Sequence, residues 1–453
     1  MPDKCSGHDD INLGSRQRRT DARQIFDAAI KASDPRQCVL DALHLDSDKL
    51  IIADHSFELA RFTEILVVGA GKATPAMASA VEERLSDMVQ GHINTKYGHK
   101  IPLEFIETTE AGHPLPDESG VAGTQSMLDM AARADSSTLL LCLFSGGGSA
   151  LMPSPVPEIS LVEKQRTTQE LLSCGATIDE INAIRKHLSN VKGGKLAKKA
   201  VPATTVALMI SDVIGDRLDT IASGPTYPDS TSFADCIEII KHYGLSSKIP
   251  TSVYDYIESG RRGKVPDTPN KAEKYFQSGL NLVVGNNTLA LSAAETKARE
   301  LGYEPLVLSS RIAGETRDVA GVHTAIAEEI ANSGKPVKPP ACIISGGETT
   351  VTIKGSGKGG RNQEFAMIAS LLLDGSDRIT VLSGGTDGTD GPTDAAGAIC
   401  DGNTVTRARG LGLEPKNFMR DNDSYHLFEP LGDLLITGPT GTNVMDLRLV
   451  LVD

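Results

Sequence analysis

Lys72 stands directly after Gly71, where the apolar run Ile65 to Val68 gives way to a helical segment expected from about Thr74 to Leu85. A cation at the N-terminus of a helix works against the macrodipole. A bound phosphate or carboxylate would account for it there; the plainer alternative is a solvated lysine that bends away from the turn. Arg361 repeats the placement. It follows the glycine loop Lys354-Gly355-Ser356-Gly357-Lys358-Gly359-Gly360, expected between an alternating strand (Thr350 to Ile353) and a helix over Phe365 to Leu373. Ordering so many glycines is costly, so the loop reads as one that a ligand organises, the alternative being a mobile basic surface loop. The guanidinium fork of Arg361 suits phosphate or carboxylate. A third group, Asp387, Asp390 and Asp394, follows the apolar run Ile379 to Leu382. Aspartates so placed could hold Mg²⁺ or take a proton from a hydroxyl, although Asp-Gly steps also form Asx-turns. Asp387, nearest the strand end, is favoured for function over Asp394.

Three apolar runs end in Ser-Gly-Gly: Leu139 to Phe144 into Ser145, Ala341 to Ile344 into Ser345, and Ile379 to Leu382 into Ser383. Glycine lets backbone N–H groups approach a ligand closely, and a strand opening into such a loop is where an open α/β sheet binds anions. Ser145, Gly146, Gly147, Gly148 and Ser149 therefore read as an anion cradle, with Ser345, Gly346, Gly347 and Glu348 as a second. Asp212 and Asp216, in the turn that starts at Ser211, could supply metal ligands or simply cap that turn. A capping box at Thr177 and Glu180 opens a helix whose apolar stripe is Ile178, Ile181, Ile184 and Leu188. Arg185 beside that stripe and Lys192 just beyond it are further candidates for an anion. No Gly-Lys pair (Lys72, Lys195, Lys264, Lys335, Lys358) is followed by Ser or Thr, so there is no Walker A loop. Thr74 replaces the third glycine of a dinucleotide fingerprint, which disfavours an NAD enzyme. His113 and His187 read as structural.

The elements that must position these residues alternate: a short β-branched run, a glycine turn, an amphipathic stretch. That rhythm predicts an α/β protein of stacked βαβ units with mainly parallel sheets. At 453 residues the chain is too long for one ordinary domain, and its length suggests roughly two to three. The polar stretch Ser259 to Lys274 marks the expected boundary. It divides a Rossmann-like α/β domain over residues 21–265 from a second α/β domain over 266–453, with residues 1–20 as a poorly ordered extension. A net charge of -14 argues against nucleic acid as a partner. No apolar run approaches the length of a membrane span. Seven scattered cysteines without a C-x-x-C fit reduced thiols, and cytoplasm is the default location.

Taken together, Gly71-Lys72-Ala73, Gly112-His113-Pro114-Leu115-Pro116-Asp117, Ser145 to Ser149, Ser211-Asp212 to Gly215-Asp216, Ser223-Gly224-Pro225-Thr226, Gly347-Glu348-Thr349, Gly360-Arg361-Asn362-Gln363-Glu364 and Gly384-Gly385-Thr386-Asp387-Gly388 to Asp390-Gly391 resemble the MOFRL-type (class II) glycerate 2-kinases. The likeness covers roughly residues 20 to 450. It implies two α/β domains with mainly parallel or mixed sheets and the active site in the cleft between them. It also implies ATP- and Mg²⁺-dependent phosphorylation of D-glycerate at its 2-hydroxyl, with Lys72, Arg361 and Asp387 as the catalytic residues. Asp212, Asp216 and Asp390 are the candidates for the metal. The expected partners are small molecules, D-glycerate and ATP, and the expected assembly is a monomer or homodimer. A hydroxypyruvate reductase, a label the same family has carried, and a non-catalytic sugar-acid or nucleotide sensor are the rival readings.

Overall fold

A computed structural model of the protein describes residues 7–453, with side chains from Gly14 onward. The chain divides into two compact units: Pro35–Gly285, and the N-terminal segment up to Asp34 together with Asn286–Asp453.

In the first unit a small antiparallel sheet, β1 (Leu43–Asp46), β2 (Lys49–Ile52) and β3 (His55–Glu58), precedes a six-stranded parallel one. The latter is built from β4 (Glu64–Ala70), β5 (Val89–Lys96), β6 (Ile106–Ala111), β7 (Thr138–Phe144), β8 (Thr204–Ile210) and β9 (Leu280–Gly285), in the order β6-β5-β4-β7-β8-β9. Every residue of β7 and all but the first of β4 and β8 are buried. This is the expectation for central parallel strands covered on both faces, and it explains the unbroken apolar runs in the sequence.

The second unit has a mixed sheet of β10 (Glu304–Ile312), β11 (Ala341–Gly347), β12 (Ile379–Gly385), β13 (Gly397–Asp401), β14 (Leu434–Leu435) and β15 (Asp446–Val452). Its order is β10-β11-β15-β12-β13-β14, and only β10 and β11 run parallel. The β-turn-α rhythm fails to foretell this, because the last strand of the chain inserts between β11 and β12 with the opposite direction.

Three expectations need correction. The boundary falls at 285/286 and not at 265/266, because β9 pairs with β8 as the edge of the first sheet. The polar stretch around 259–274 is a surface excursion of that same unit: Asp229 N–H donates to Pro269 O at 2.9 Å, Thr268 Oγ1 to Asp229 Oδ2 at 3.0 Å, and Phe233 N–H to Asp267 Oδ1 at 2.8 Å. Residues 1–6 of the expected extension lie outside the described residues, but Gly7–Ala32 is a helix of the second unit. Arg19 docks it through Nε to Asp401 Oδ2 at 2.6 Å and Nη1 to Asp433 Oδ1 at 2.8 Å, and buried Arg18 pairs with Asp453. Finally, Thr350–Ile353 forms no strand, and only an isolated bridge joins Thr350 to Glu315.

Candidate active site

Since β4, β7 and β8 are neighbours and parallel, the turns after them gather at one edge of the first sheet. Two of these turns are joined by hydrogen bonds. Lys72 N–H donates to Gly146 O at 3.0 Å and Ser145 N–H to Ala70 O at 3.3 Å. Ser145 Oγ accepts from Ala73 N–H at 3.1 Å and lies 3.2 Å from Thr74 Oγ1. A Cβ on Gly71 would overlap that hydroxyl, so the close approach requires glycine. The result sets half-buried Lys72 beside the Ser145–Gly147 turn, where the amides of Gly146 and Gly147 find no acceptor among the described residues. A Cβ on Gly146 would run into Asp212 Oδ2, so this carboxylate leans directly on the turn. Gly148 serves packing instead: a Cβ there would come within 2.7 Å of Ala70 O.

His113 lies against Gly147, whose added Cβ would stand 2.9 Å from the imidazole. Burial first, then the positive charges of Lys72, Lys96 and His99, push His113 down to about 4. The ring is therefore neutral near pH 7, in a neighbourhood that disfavours further positive charge. At the other end of the turn, Lys192 Nζ donates to Ser149 O at 2.7 Å, and Ser149 Oγ lies 2.9 Å from Ser223 Oγ. Asp216 takes a positive φ of 54° in the turn after β8.

In the second unit Arg361 opens the helix Arg361–Leu372. Its Nε and Nη2 donate to the two oxygens of Asp446 at 2.7 and 2.9 Å, and its Nη1 lies 2.9 Å from Glu348 Oε1. Burial opposes the charge, but Asp446, Glu348 and Asp390 outweigh it and hold the guanidinium firmly protonated. Protein carboxylates thus supply what the sequence reading assigned to a ligand alone. Asp387 follows β12, where its Oδ1 accepts from Thr389 N–H at 3.0 Å and Thr389 Oγ1 at 3.2 Å. The Asx-turn leaves Oδ2 without a partner among the described residues, on a half-buried side chain.

Several candidates serve the fold. Asp390 is buried and caps the helix from a distance, accepting from Asn362 N–H at 3.1 Å and Gln363 N–H at 2.8 Å. Burial pushes it up to about 6, against those two amides; the charge of Asp446 adds to the rise. Both oxygens are engaged by the helix N-terminus, and this capping explains why the helix begins at Arg361 and not at Phe365. Ser345 and Gly346 lie inside β11 and form no loop: Ser345 Oγ bonds His323 Nε2 at 2.7 Å, and a Cβ on Gly346 would strike the Asn287 side chain. Gly347 has a φ of 110° and is pressed against Ile312. The glycine loop before Arg361 is organised by protein as well. Amides of Lys354, Gly355, Ser356 and Lys358 donate to side chains of Asn422, Asp421 and Asp423 at 2.8 to 3.1 Å. A Cβ on Gly355, Gly357 or Gly359 would overlap residues 421–424, and one on Gly360 would overlap Asp390.

Among the described residues no three acids, cysteines or histidines gather as a metal cage. No helix among them is long and apolar enough to cross a membrane.

Residues 21–258 match the family model described as a domain of unknown function, DUF4147, and residues 341–446 match the MOFRL family. A glycerate 2-kinase of Pyrococcus horikoshii is 41% identical over 425 residues, covering 94% of this chain and 95% of its own. The chain belongs to the MOFRL-type glycerate 2-kinase family. The crystal structure of the glycerate kinase of Thermotoga maritima superposes on this member with a TM-score of 0.86 at 38% identity, covering 97% of this chain and 100% of its own. A family relative in Agrobacterium vitis, 40% identical over 95% of this chain and 93% of its own, bears a provisional hydroxypyruvate reductase name.

In this MOFRL-type chain two buried charged residues escaped the sequence. Asp446 is paired with Arg361 across 85 positions, and only the insertion of β15 brings it there. Lys164 carried a signal that could have been used: it occupies the buried stripe Leu161, Lys164, Thr167, Leu171 of the helix Leu161–Ser173, a place for an apolar residue.

Proposed function

We propose that the protein transfers the γ-phosphoryl group of ATP to the 2-hydroxyl of D-glycerate, giving 2-phosphoglycerate and ADP. The observation that carries this reading is the Gly71-Lys72 turn bonded to Ser145-Gly146-Gly147, where unused amides, a lysine and the Asp212 carboxylate converge. Such a site suits phosphoryl transfer, in which positioning and charge neutralisation provide most of the rate. Lys72 and the Gly146 and Gly147 amides hold phosphoryl oxygens. Arg361, aimed by Asp446 and Glu348, presents its guanidinium to an anionic group of substrate. Asp387, through Oδ2, orients the attacking hydroxyl and takes its proton as the new O–P bond forms and the bond to the ADP oxygen breaks.

Mg²⁺ prefers oxygen ligands and keeps several waters, binding through one or two carboxylates plus substrate phosphates. Asp212, lying on the phosphate-binding turn, fits that role, with Asp216 in the same turn as a second donor. When bound, the ion would neutralise charge developing on the phosphates.

The test is a phosphorus NMR spectrum of the protein with Mg-ATP and D-glycerate. Appearance of 2-phosphoglycerate is expected. A 3-phosphoglycerate signal would overturn the regiochemistry, and an unchanged ATP spectrum would overturn the kinase and turn attention to reduction of hydroxypyruvate.

A further inference from the structure

Three basic side chains of the first unit converge with no acid to answer them. Lys164 is 6% exposed and its Nζ has no hydrogen-bond partner among the described residues. Lys192 is 1% exposed, and among the described residues its Nζ donates only to Ser149 O. Arg185, half-buried on the helix Ile178–His187, makes no hydrogen bond or ion pair among the described residues. They form one group: the charges of Lys164 and Arg185 both bear on Lys192, and those of Arg185 and Lys195 bear on Lys164. Several acids of the surrounding elements are engaged elsewhere. Glu163 is held by Ser160 and Ser252, Asp179 by Arg217, Glu180 by Thr177 and Tyr243, Glu258 by Arg261 and Arg262, and Asp229 by Lys186. A buried ammonium is normally paired, because losing water without a counter-charge is expensive. Two buried lysines and a half-buried arginine sharing one region, one lysine tied to the end of the Ser145–Ser149 turn, leave a place for a negative group.

We propose that Lys164, Arg185 and Lys192 form an anion subsite beside Ser149 that receives an oxyanion of a substrate, either a nucleotide phosphate or the carboxylate of the acceptor acid. The proposal rests on the kinase reading for the identity of the ligand. Burial, then Arg185 and Lys195, push Lys164 down to about 7. Burial, then Lys164 and Arg185, push Lys192 down as well; an arriving anion reverses that balance, so binding draws protons from solution onto the lysines of the subsite.

The test is Lys164→Met in the full chain, with Arg185→Gln as a second variant. Titration calorimetry follows ADP and D-glycerate separately, at about pH 8 in two buffers of different ionisation enthalpy, so that proton uptake is read along with affinity. Both variants should bind one of the two ligands roughly tenfold or more weakly, as expected for truncating one side of a buried charge contact. Selective loss of ADP assigns the subsite to a phosphate, and selective loss of glycerate assigns it to the carboxylate. The wild type should take up protons on binding that ligand, and Lys164→Met should take up fewer. The melting temperature of Lys164→Met should equal or exceed that of the wild type, since a buried polar group without a partner gives way to an apolar side chain of similar length. Affinities within about twofold for both ligands, with unchanged proton uptake, would overturn the subsite. Binding is read without turnover: a wild type that makes no phosphoglycerate refutes the kinase, whereas an active wild type with an unaffected Lys164→Met refutes the subsite alone.

Discussion

Asp446→Asn probes both the folding of the second unit and the aim of Arg361. The Asp446 carboxylate is fully buried and accepts from Arg361 Nε and Nη2 at 2.7 and 2.9 Å, Asn362 Nδ2 at 2.9 Å and Arg448 Nη2 at 3.0 Å. Asparagine keeps the shape but removes the charge, and turns an N–H₂ group toward donors. Arg448 suffers most. It is 1% exposed, its Nε and Nη1 already lack partners, and burial already lowers its proton affinity despite Asp446. Stranding a buried charge in this way costs about 3–5 kcal/mol. For a unit of this size that is a fall in Tm on the order of 10 °C. Thermal melting at neutral pH measures it, and kcat of the folded variant at 25 °C reports the loss of aim at Arg361. The double variant Asp446→Asn/Arg448→Met should recover most of the stability, because removing both charges leaves an apolar side chain over Phe365, whose ring Arg448 now faces at 5.6 Å. It should not recover kcat. A single variant within about 1 kcal/mol of the wild type, or a double no better than the single, would refute the assignment of Asp446 as the hub.

Three further outcomes follow from named contacts. Lys72→Met should lower kcat by about 10²–10³ with an unchanged melting temperature; a loss below about tenfold would remove Lys72 from the chemistry. Burial, and to a lesser degree Arg448, push His323 down to about 4, below its ordinary value. Its contribution to stability is therefore present above the unfolded value of about 6.5 and is lost as pH falls toward 4. Asp390, raised to about 6, works in the opposite direction over the same range. His323→Gln should accordingly flatten the acid side of the urea midpoint against pH, and an unaltered slope would count against it. Gly357→Ala should destabilise by about 1–3 kcal/mol, because its Cβ would overlap Asp423 and stand 2.6 Å from Asp421 O, yet leave the KM for ATP unchanged. A raised KM at full stability would restore the loop to ligand binding.

The sequence by itself determined the parts whose cause is local. Unbroken apolar runs mark β4, β7 and β8 as central parallel strands, because a strand covered on both faces has no polar side. Glycine at 71 and 146, with Lys72 between strand and helix, already specifies a turn that brings backbone and cation to an anion. Long motifs name the family for the same reason. Tertiary structure decided everything that depends on a distant partner. The chain-terminal strand β15 turns the second sheet antiparallel and delivers Asp446 to Arg361. Asp390 caps a helix that begins 29 residues before it, and residues 421–424 take up the glycine loop that looked built for a ligand. A carboxylate reads the same in sequence whether it waits for a metal or seals a helix end. Only the packing that removes it from water, and supplies the amides it accepts from, separates the two.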